Sequence, residues 1–317
     1  MKIHIISFDY WGYDTKIANK LNNMGHQTVH IKLSDFHYKY PNLKSKISNF
    51  FSKIFFKKNI KKIKTEEYIL NQLETAGIQD YIIVINPERI SKNCHLQIKR
   101  HTKSYIAYLY DSIDRYNNID LITNTFFDKI FTFDKIDAKK HNLVFLPNYI
   151  HLEKRDDLKN PKHKVFSISS IDERYQTINS FIEYFDNNNI THETIFFDKK
   201  KPSKLKNSAT FIKQKLTQNQ IQEKIEDATI VLDVLRKNQT GLSFRIFDAL
   251  ALNKKIITTN KSIKEYDFYN PKNIFVWDKN SKEIPKSFFD LPCEELDGKI
   301  IEKYSLKNWV TTLLEIT

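Results

Sequence analysis

Twelve short apolar runs, separated by stretches of helical periodicity, divide this chain into two series. The first comprises KIHIISF (2–8), QTVHIKL (27–33), YIIVIN (81–86), SYIAYLYD (104–111), KIFTFD (129–134) and LVFLPN (143–148). The second comprises KVFSIS (164–169), ETIFF (193–197), TFIKQ (210–214), TIVLDV (229–234), KIITT (255–259) and NIFVW (273–277). Continuously apolar runs of this length suit parallel strands covered by helices on both faces. The βαβα pattern, met twice, predicts two doubly wound domains. Between the series lies 151–164, charged, aperiodic and carrying Pro161, which reads as a linker. The expected plan is therefore a domain over 1–150, a linker over 151–164, a domain over 165–305 and a terminal helix over 306–317.

Helix boundaries follow from local chemistry. The helix over 14–24 should stop at Gly25 and that over 66–76 at Gly77, where a left-handed residue closes the last turn. Thr217 and Gln220 have the spacing of a capping box that opens a helix through Glu226. Residues 297–316 read as helical again, with Trp309, Leu313 and Leu314 on the apolar side.

With 317 residues, 40% hydrophobic and 28% charged, the chain is neither disordered nor too short for two cores. No apolar run approaches a membrane span, and Asp9 interrupts the N-terminus too early for a signal peptide. Cys94 and Cys293 stand far apart without metal-ligand spacing, so a reducing cytoplasm is expected. The net charge of +13 is local: 36–65 holds nine lysines and no acid, which leaves +4 for everything else. Within it, Ile47, Phe50, Phe51, Ile54 and Phe55 follow a helical stripe flanked by lysines. A basic amphipathic segment over 44–64 suits an anionic lipid surface, with Lys53, Lys57, Lys58, Lys61 and Lys62 as its contacts. The competing reading docks the phenylalanines on the protein's own core.

The five glycines also narrow the chemistry. Neither a dinucleotide fingerprint nor a P-loop is present, and neither is a D-x-D pair, a histidine pair at metal spacing on a helix or a G-x-S-x-G elbow. No metal or other cofactor is expected. Gly12 and Gly241 follow strands, where open α/β sheets bind ligands. The loop before Gly241 offers Arg236, Gln239 and Thr240, and Ser243, Arg245 and Asp248 follow it. A basic glycine loop at a helix N-terminus suits a diphosphate, with Asp248 placed for ribose hydroxyls. Taken alone, Arg245 and Asp248 would be an ordinary i,i+3 ion pair.

At this point the chain resembles GT-B glycosyltransferases of bacterial surface-polysaccharide and lipopolysaccharide synthesis, in a branch related to CgeB-type and group 4-like enzymes. The stretches that carry the likeness are YWGYDTKIANKLNNMGHQTVHI, YLYDSIDRY, FDKIFTFDKIDAKKHNLVFLPN, SSIDERY, QTGLSFRIFDALALNKKIITTN, YDFYNPKNIFVWD and YSLKNWVTTLL. The resemblance implies two Rossmann-like domains facing a cleft, with the C-terminal helix crossing back onto the first. It implies a nucleotide-sugar donor on the second domain, a glycan or lipid-linked glycan acceptor on the first, near Tyr10, Trp11 and Gly12, and no catalytic metal. SSIDERY makes Arg174 a phosphate contact. Retaining relatives carry two glutamates eight positions apart around this helix; here those positions are Thr240 and Asp248, so inversion and retention both stay open. An inverting enzyme needs a base to deprotonate the acceptor. Asp111 is the first choice, Glu88 the second and Asp9 the third, each at a strand's carboxyl end. The protein would act in the cytoplasm, peripheral to the inner membrane. The second reading is a non-catalytic or nucleic-acid-binding protein using the lysine arm; no nucleic-acid motif supports it.

Overall fold

A computed structural model describes the chain except for residues 57–58, 117–118, 123–125, 155–159, 203–204, 279–280, 282 and 316–317, and except for the side chains of 52–56, 116 and 119. It forms two compact units, Met1–Phe145 and Leu146–Thr317.

The first unit is built on a six-stranded sheet of β1 (Lys2–Ser7), β2 (Gln27–Lys32), β3 (Gln79–Ile85), β4 (Thr102–Leu109), β5 (Lys129–Thr132) and β6 (Val144–Phe145). The order is β2-β1-β3-β4-β5-β6 and every pairing is parallel. The chain steps from β1 outward to β2, then returns to place β3 on the other side of β1. Beyond the carboxyl ends of β1 and β3 there is thus a crevice where neighbouring loops diverge, the usual ligand position of such sheets. One core face gathers Ile6, Ile31, Ile82, Val84 and Ala107 from the strands with Ile69, Leu73 and Ile98 from helices.

The second unit repeats the plan with β7 (His163–Ser170), β8 (His192–Phe197), β9 (Ala209–Ile212), β10 (Ala228–Asp233), β11 (Lys255–Thr258) and β12 (Ile274–Val276). The order β12-β11-β10-β7-β8-β9, again parallel, puts the reversal between β7 and β10. Its core joins Val165, Phe196, Ile230, Leu232 and Ile257 to the helical Ile178, Phe181, Ile182 and Phe185.

Local differences from expectation have local causes. The capping box forms in full, Thr217 and Gln220 each accepting from the other's backbone. The C-terminal helical stretch is two helices, Gly298–Lys303 and Leu306–Leu314, because Ser305 caps a new helix by accepting from the Asn308 amide. Trp309 donates to the Pro147 carbonyl at 3.0 Å, and Ile150 and Ser305 form a parallel bridge. The segment 146–152 is accordingly buried within the second unit, including His151 and Leu152. The glycine loop does not open its helix directly: the helix is Phe244–Ala251, capped by Ser243, two residues after Gly241.

In the lysine-rich stretch, one helix spans Leu43–Phe56 and another Ile60–Ala76, parted at Asn59, whose side chain accepts from Lys61 N. Phe50 is 60% and Phe51 51% exposed, so neither is a core residue. Ile54 and Phe55, with Lys53, Lys57 and Lys58, lie outside the described side chains. Lys61 is exposed and Lys62 stands 3.9 Å from Glu66. No described helix is long and apolar enough to cross a membrane.

Candidate functional site

In the second unit two loops meet beyond β7 and β10. After β7 the chain turns at Asp172, whose carboxylate accepts from the Arg174 amide and starts the helix Tyr175–Asn187. The same carboxylate takes the Arg174 guanidinium as a fork, Nε to Oδ1 at 2.9 Å and Nη2 to Oδ2 at 2.7 Å. From the loop after β10, Arg236 Nη2 reaches Asp172 Oδ2 at 3.3 Å. Burial pushes the Asp172 carboxyl up, but the two arginines outweigh it and hold its pKa below the ordinary value. Two fixed guanidinium charges therefore face one carboxylate at the switch point of the sheet. Guanidinium groups held in this way suit phosphate oxygens. Sequence reasoning named both arginines but not Asp172, the residue that brings them together. Its signal was a carboxylate two residues before an arginine, just after a strand.

The loop itself is tied down through its carbonyls. Asn260 donates to Thr240 O at 3.0 Å and to Gly241 O at 3.3 Å, and Ser262 donates to Thr240 O at 2.6 Å. Asn148 donates to Leu242 O at 2.9 Å. Ser243 caps the helix by accepting from the Arg245 amide and donates to Asp233 Oδ1 at 2.7 Å. The β10–β11 register sets Thr258 opposite Asp233, and its hydroxyl reaches the other carboxylate oxygen at 3.4 Å. Gln239 belongs to the same loop, between the left-handed Asn238 and Thr240.

Arg245 and Asp248 lie apart from this arginine pair in their bonding. Arg245 Nη1 donates to Asp248 Oδ2 at 2.9 Å, and Asp248 Oδ1 is 3.5 Å from His151 Nδ1. The side chains of Asp248 and His151 are wholly enclosed. The structure thus gives Asp248 a buried ion pair with Arg245, its side chain enclosed beside His151.

In the first unit the corresponding loops follow β1, β3 and β4. Asp9 has φ 41° and Gly12 φ 79°, so the chain makes a tight left-handed turn that glycine accommodates without strain. Asp9 accepts from the Asp14 amide at 3.0 Å and the Thr15 amide at 3.2 Å, acting as the cap of the helix Tyr13–Asn23. Asp14, in the first turn, was not picked out by sequence. It is buried beside Asp9, and burial with that neighbouring charge lifts its pKa to about 7.

Glu88 sits in a 3-10 turn, Pro87–Arg89, that follows β3. Burial, reinforced by the charge of Asp111, raises its pKa to about 7 against the pull of Arg89. Its Oε1 is buried without a hydrogen-bond partner, 3.8 Å from Arg89 Nε. Asp111, after β4, accepts from Arg115 Nη1 at 3.1 Å. Of the three expected bases, Glu88 and Asp111 share one electrostatic neighbourhood, while Asp9 is committed to a helix cap. Tyr10 and Trp11 are exposed on the turn between Asp9 and Gly12. Among the described residues no group of three or more histidine, cysteine or acidic side chains is placed to hold a metal ion.

No protein-family model matches this chain, and no curated protein matches it in sequence. Solved structures do match over its whole length. A UDP-forming alpha,alpha-trehalose-phosphate synthase from Burkholderia xenovorans aligns at TM-score 0.59 and 9% identity, covering 99% of this chain and 98% of that one. A trehalose-6-phosphate protein from E. coli, solved with UDP-2-fluoro glucose, aligns at TM-score 0.54 and 8% identity over 100% of both chains. A glycosyltransferase from Rickettsia africae aligns at TM-score 0.53 and 10% identity, over 99% of this chain and 97% of that one. The fold is GT-B. Each unit of this GT-B chain carries its polar cluster at the switch point of its own sheet.

Proposed function

We propose that the protein is a glycosyltransferase that takes a sugar from a nucleotide-sugar donor. The observation that carries this reading is the convergence of Arg174 and Arg236 on Asp172 at the switch point of the second sheet. Two guanidinium groups held on one carboxylate, beside a loop whose carbonyls are already engaged, suit a diphosphate. A GT-B structure solved with UDP-2-fluoro glucose is in keeping with it. Arg174→Ala and Arg236→Ala should each weaken nucleoside diphosphate binding by about 1.5–3 kcal/mol, the scale of a hydrogen bond to a charged group. Isothermal titration with a panel of nucleoside diphosphates measures this. If no nucleoside diphosphate binds the parent protein, the reading is wrong.

On the first unit, Glu88 is the proposed base, ahead of Asp111 and Asp9. Burial sets its pKa near neutrality, where a base is most effective. In the reaction the acceptor O–H breaks and its proton goes to Glu88. The acceptor oxygen bonds the anomeric carbon as the bond to the diphosphate breaks, and the diphosphate leaves with that electron pair. Displacement of this kind inverts the anomeric configuration.

The acceptor we propose is a surface glycan or its lipid-linked precursor, met at an anionic membrane surface. Support comes from the helix Leu43–Phe56, with Phe50 and Phe51 in solvent among lysines and without acids. The protein should bind vesicles containing anionic lipid, leave neutral ones, and release as salt rises. Glutamine at Lys53, Lys57, Lys58, Lys61 and Lys62 should remove binding worth about 1 kcal/mol per lysine. Serine at Phe50 and Phe51 should lower vesicle binding and leave the melting temperature in place, because neither ring is buried. Retention of vesicle binding in both variants would sink the membrane contact.

A further inference from the structure

We propose that the lysines beyond β8 and β9 form a docking surface for an anionic glycan, continuous with the arginine pair on Asp172. That the polymer is a glycan rests on the transferase reading; the positive surface stands on charge and topology alone. Residues 199–215 hold seven lysines and no acid. With the nine lysines of 36–65 they carry +16, more than the chain total of +13, so everything else is net negative. A lysine-rich composition by itself would scatter this charge. Here it is gathered in one stretch of each unit.

The second sheet brings these lysines to one edge. β8 ends at Phe197 and is followed by Lys199, Lys200 and Lys201; β9 ends at Ile212 and is followed by Lys213 and Lys215, all five exposed. The strands pair in parallel as far as Phe197 and Ile212, and the Asp198 amide still donates to the Ile212 carbonyl at 3.3 Å. The two lysine groups therefore leave the sheet side by side. Phe197 joins them to the arginine site. Its carbonyl accepts from the Ile171 amide at 3.3 Å, one residue before Asp172, and Lys215 Nζ lies 5.9 Å from its ring centre. Neighbouring strands stand about 4.8 Å apart, so the loops beyond β7, β8 and β9 form one continuous edge. Its acids are Asp172, held by two arginines, Glu173, and Asp198, which accepts from the Lys199 amide. Lys204 lies outside the described residues, and Lys206 is paired with Glu183.

The side chains around the lysines select the partner. Among the described residues of 198–216 no large apolar side chain is exposed. The lysine-rich helix of the first unit differs, with Phe50 and Phe51 in solvent. Without apolar groups the edge has nothing to insert among acyl chains, and without exposed rings it has nothing for nucleobases to stack on. Lysine is a compact, strongly hydrated charge on a flexible stem, which suits a hydrated chain with repeated charges. A glycan bearing acidic groups along its length has that chemistry.

The test is titration of the full chain with a fluorescent oligogalacturonate, read by anisotropy. Neutral oligodextran, single- and double-stranded DNA, and phosphatidylglycerol vesicles are the comparisons. Oligogalacturonate should bind and weaken as salt rises, and oligodextran should not bind. Glutamine at Lys199, Lys200, Lys201, Lys213 and Lys215 should weaken it about tenfold or more, and arginine at the same five positions should restore it. Glutamine at Lys53, Lys57, Lys58, Lys61 and Lys62 should leave it in place. Nucleoside diphosphate binding is measured on the same samples. Absence of oligogalacturonate binding, binding unchanged by the first five glutamines, or loss through the second five instead overturns the surface. Tighter binding of either DNA through the first five lysines also overturns it, as does vesicle binding that depends on them. Any of these results together with nucleoside diphosphate binding leaves the transferase reading standing. Oligogalacturonate held by the first five lysines, with no nucleotide bound by the parent, supports the surface and removes the transferase reading.

Discussion

Glutamine in place of Glu88 is expected to lower kcat by about two to four orders of magnitude, the usual contribution of a positioned general base. Donor affinity should be unchanged, because the base acts on the acceptor in the transition state. In the parent protein kcat/KM should rise with pH through about 7 as Glu88 ionises, and this limb should vanish in the glutamine variant. Asp111→Asn provides the matched control. The Asp111 charge helps to raise the Glu88 pKa, so removing it should move the acid limb to lower pH. Stability runs the opposite way. The folded state holds the Glu88 proton more tightly than the unfolded chain, whose carboxyl titrates near 4.5. That contribution is complete below about 4.5 and is lost as pH rises toward about 7. Glutamine cannot ionise, so the variant should match or exceed the parent's melting temperature at pH 8 while being nearly inactive. Full turnover in Glu88→Gln, or a product with retained anomeric configuration by NMR, would dismiss the assignment.

Asp248→Ala should destabilise the second unit severely, costing about 3–5 kcal/mol. It leaves Arg245, which is mostly buried, without its carboxylate partner, and breaking a buried pair from one side is what makes such changes severe. Asp248→Asn keeps the shape and one acceptor oxygen, so a smaller loss of about 1–3 kcal/mol is expected. Urea unfolding measures both as a lower midpoint. A variant that lost nucleotide affinity with an unchanged midpoint would restore Asp248 as a ligand contact.

The alternation of apolar runs and helical segments was enough to read both sheets, because a parallel strand buried on two faces has few ways to be polar. Even the short β9 and β12 lie where TFIKQ and NIFVW predict them. The site was legible only by position. Strand ends indicate where ligand loops lie, so Arg174, Arg236, Glu88 and Tyr10 were all named. What each side chain does there depends on partners distant in sequence. Arg236 and Arg174 meet on Asp172, and the enclosed Asp248 lies beside His151, which comes from the connection between the two series. Sequence spacing revealed the Arg245–Asp248 pair but carried no sign of its burial. Asp14 was missed because an acid in a first helical turn is ordinarily a solvated partner of the helix dipole.

The tethering of Thr240, Gly241 and Leu242 by Asn260, Ser262 and Asn148 has a kinetic consequence. A coil segment that must order itself around a ligand loses about 1–2 kcal/mol of backbone freedom per residue at that moment. Here the ordering has already happened in folding. Nucleotide association should therefore be a single fast phase without a slow isomerisation. Cutting the tethers with Asn260→Ala should convert it to two phases, because loop closure would then follow the encounter.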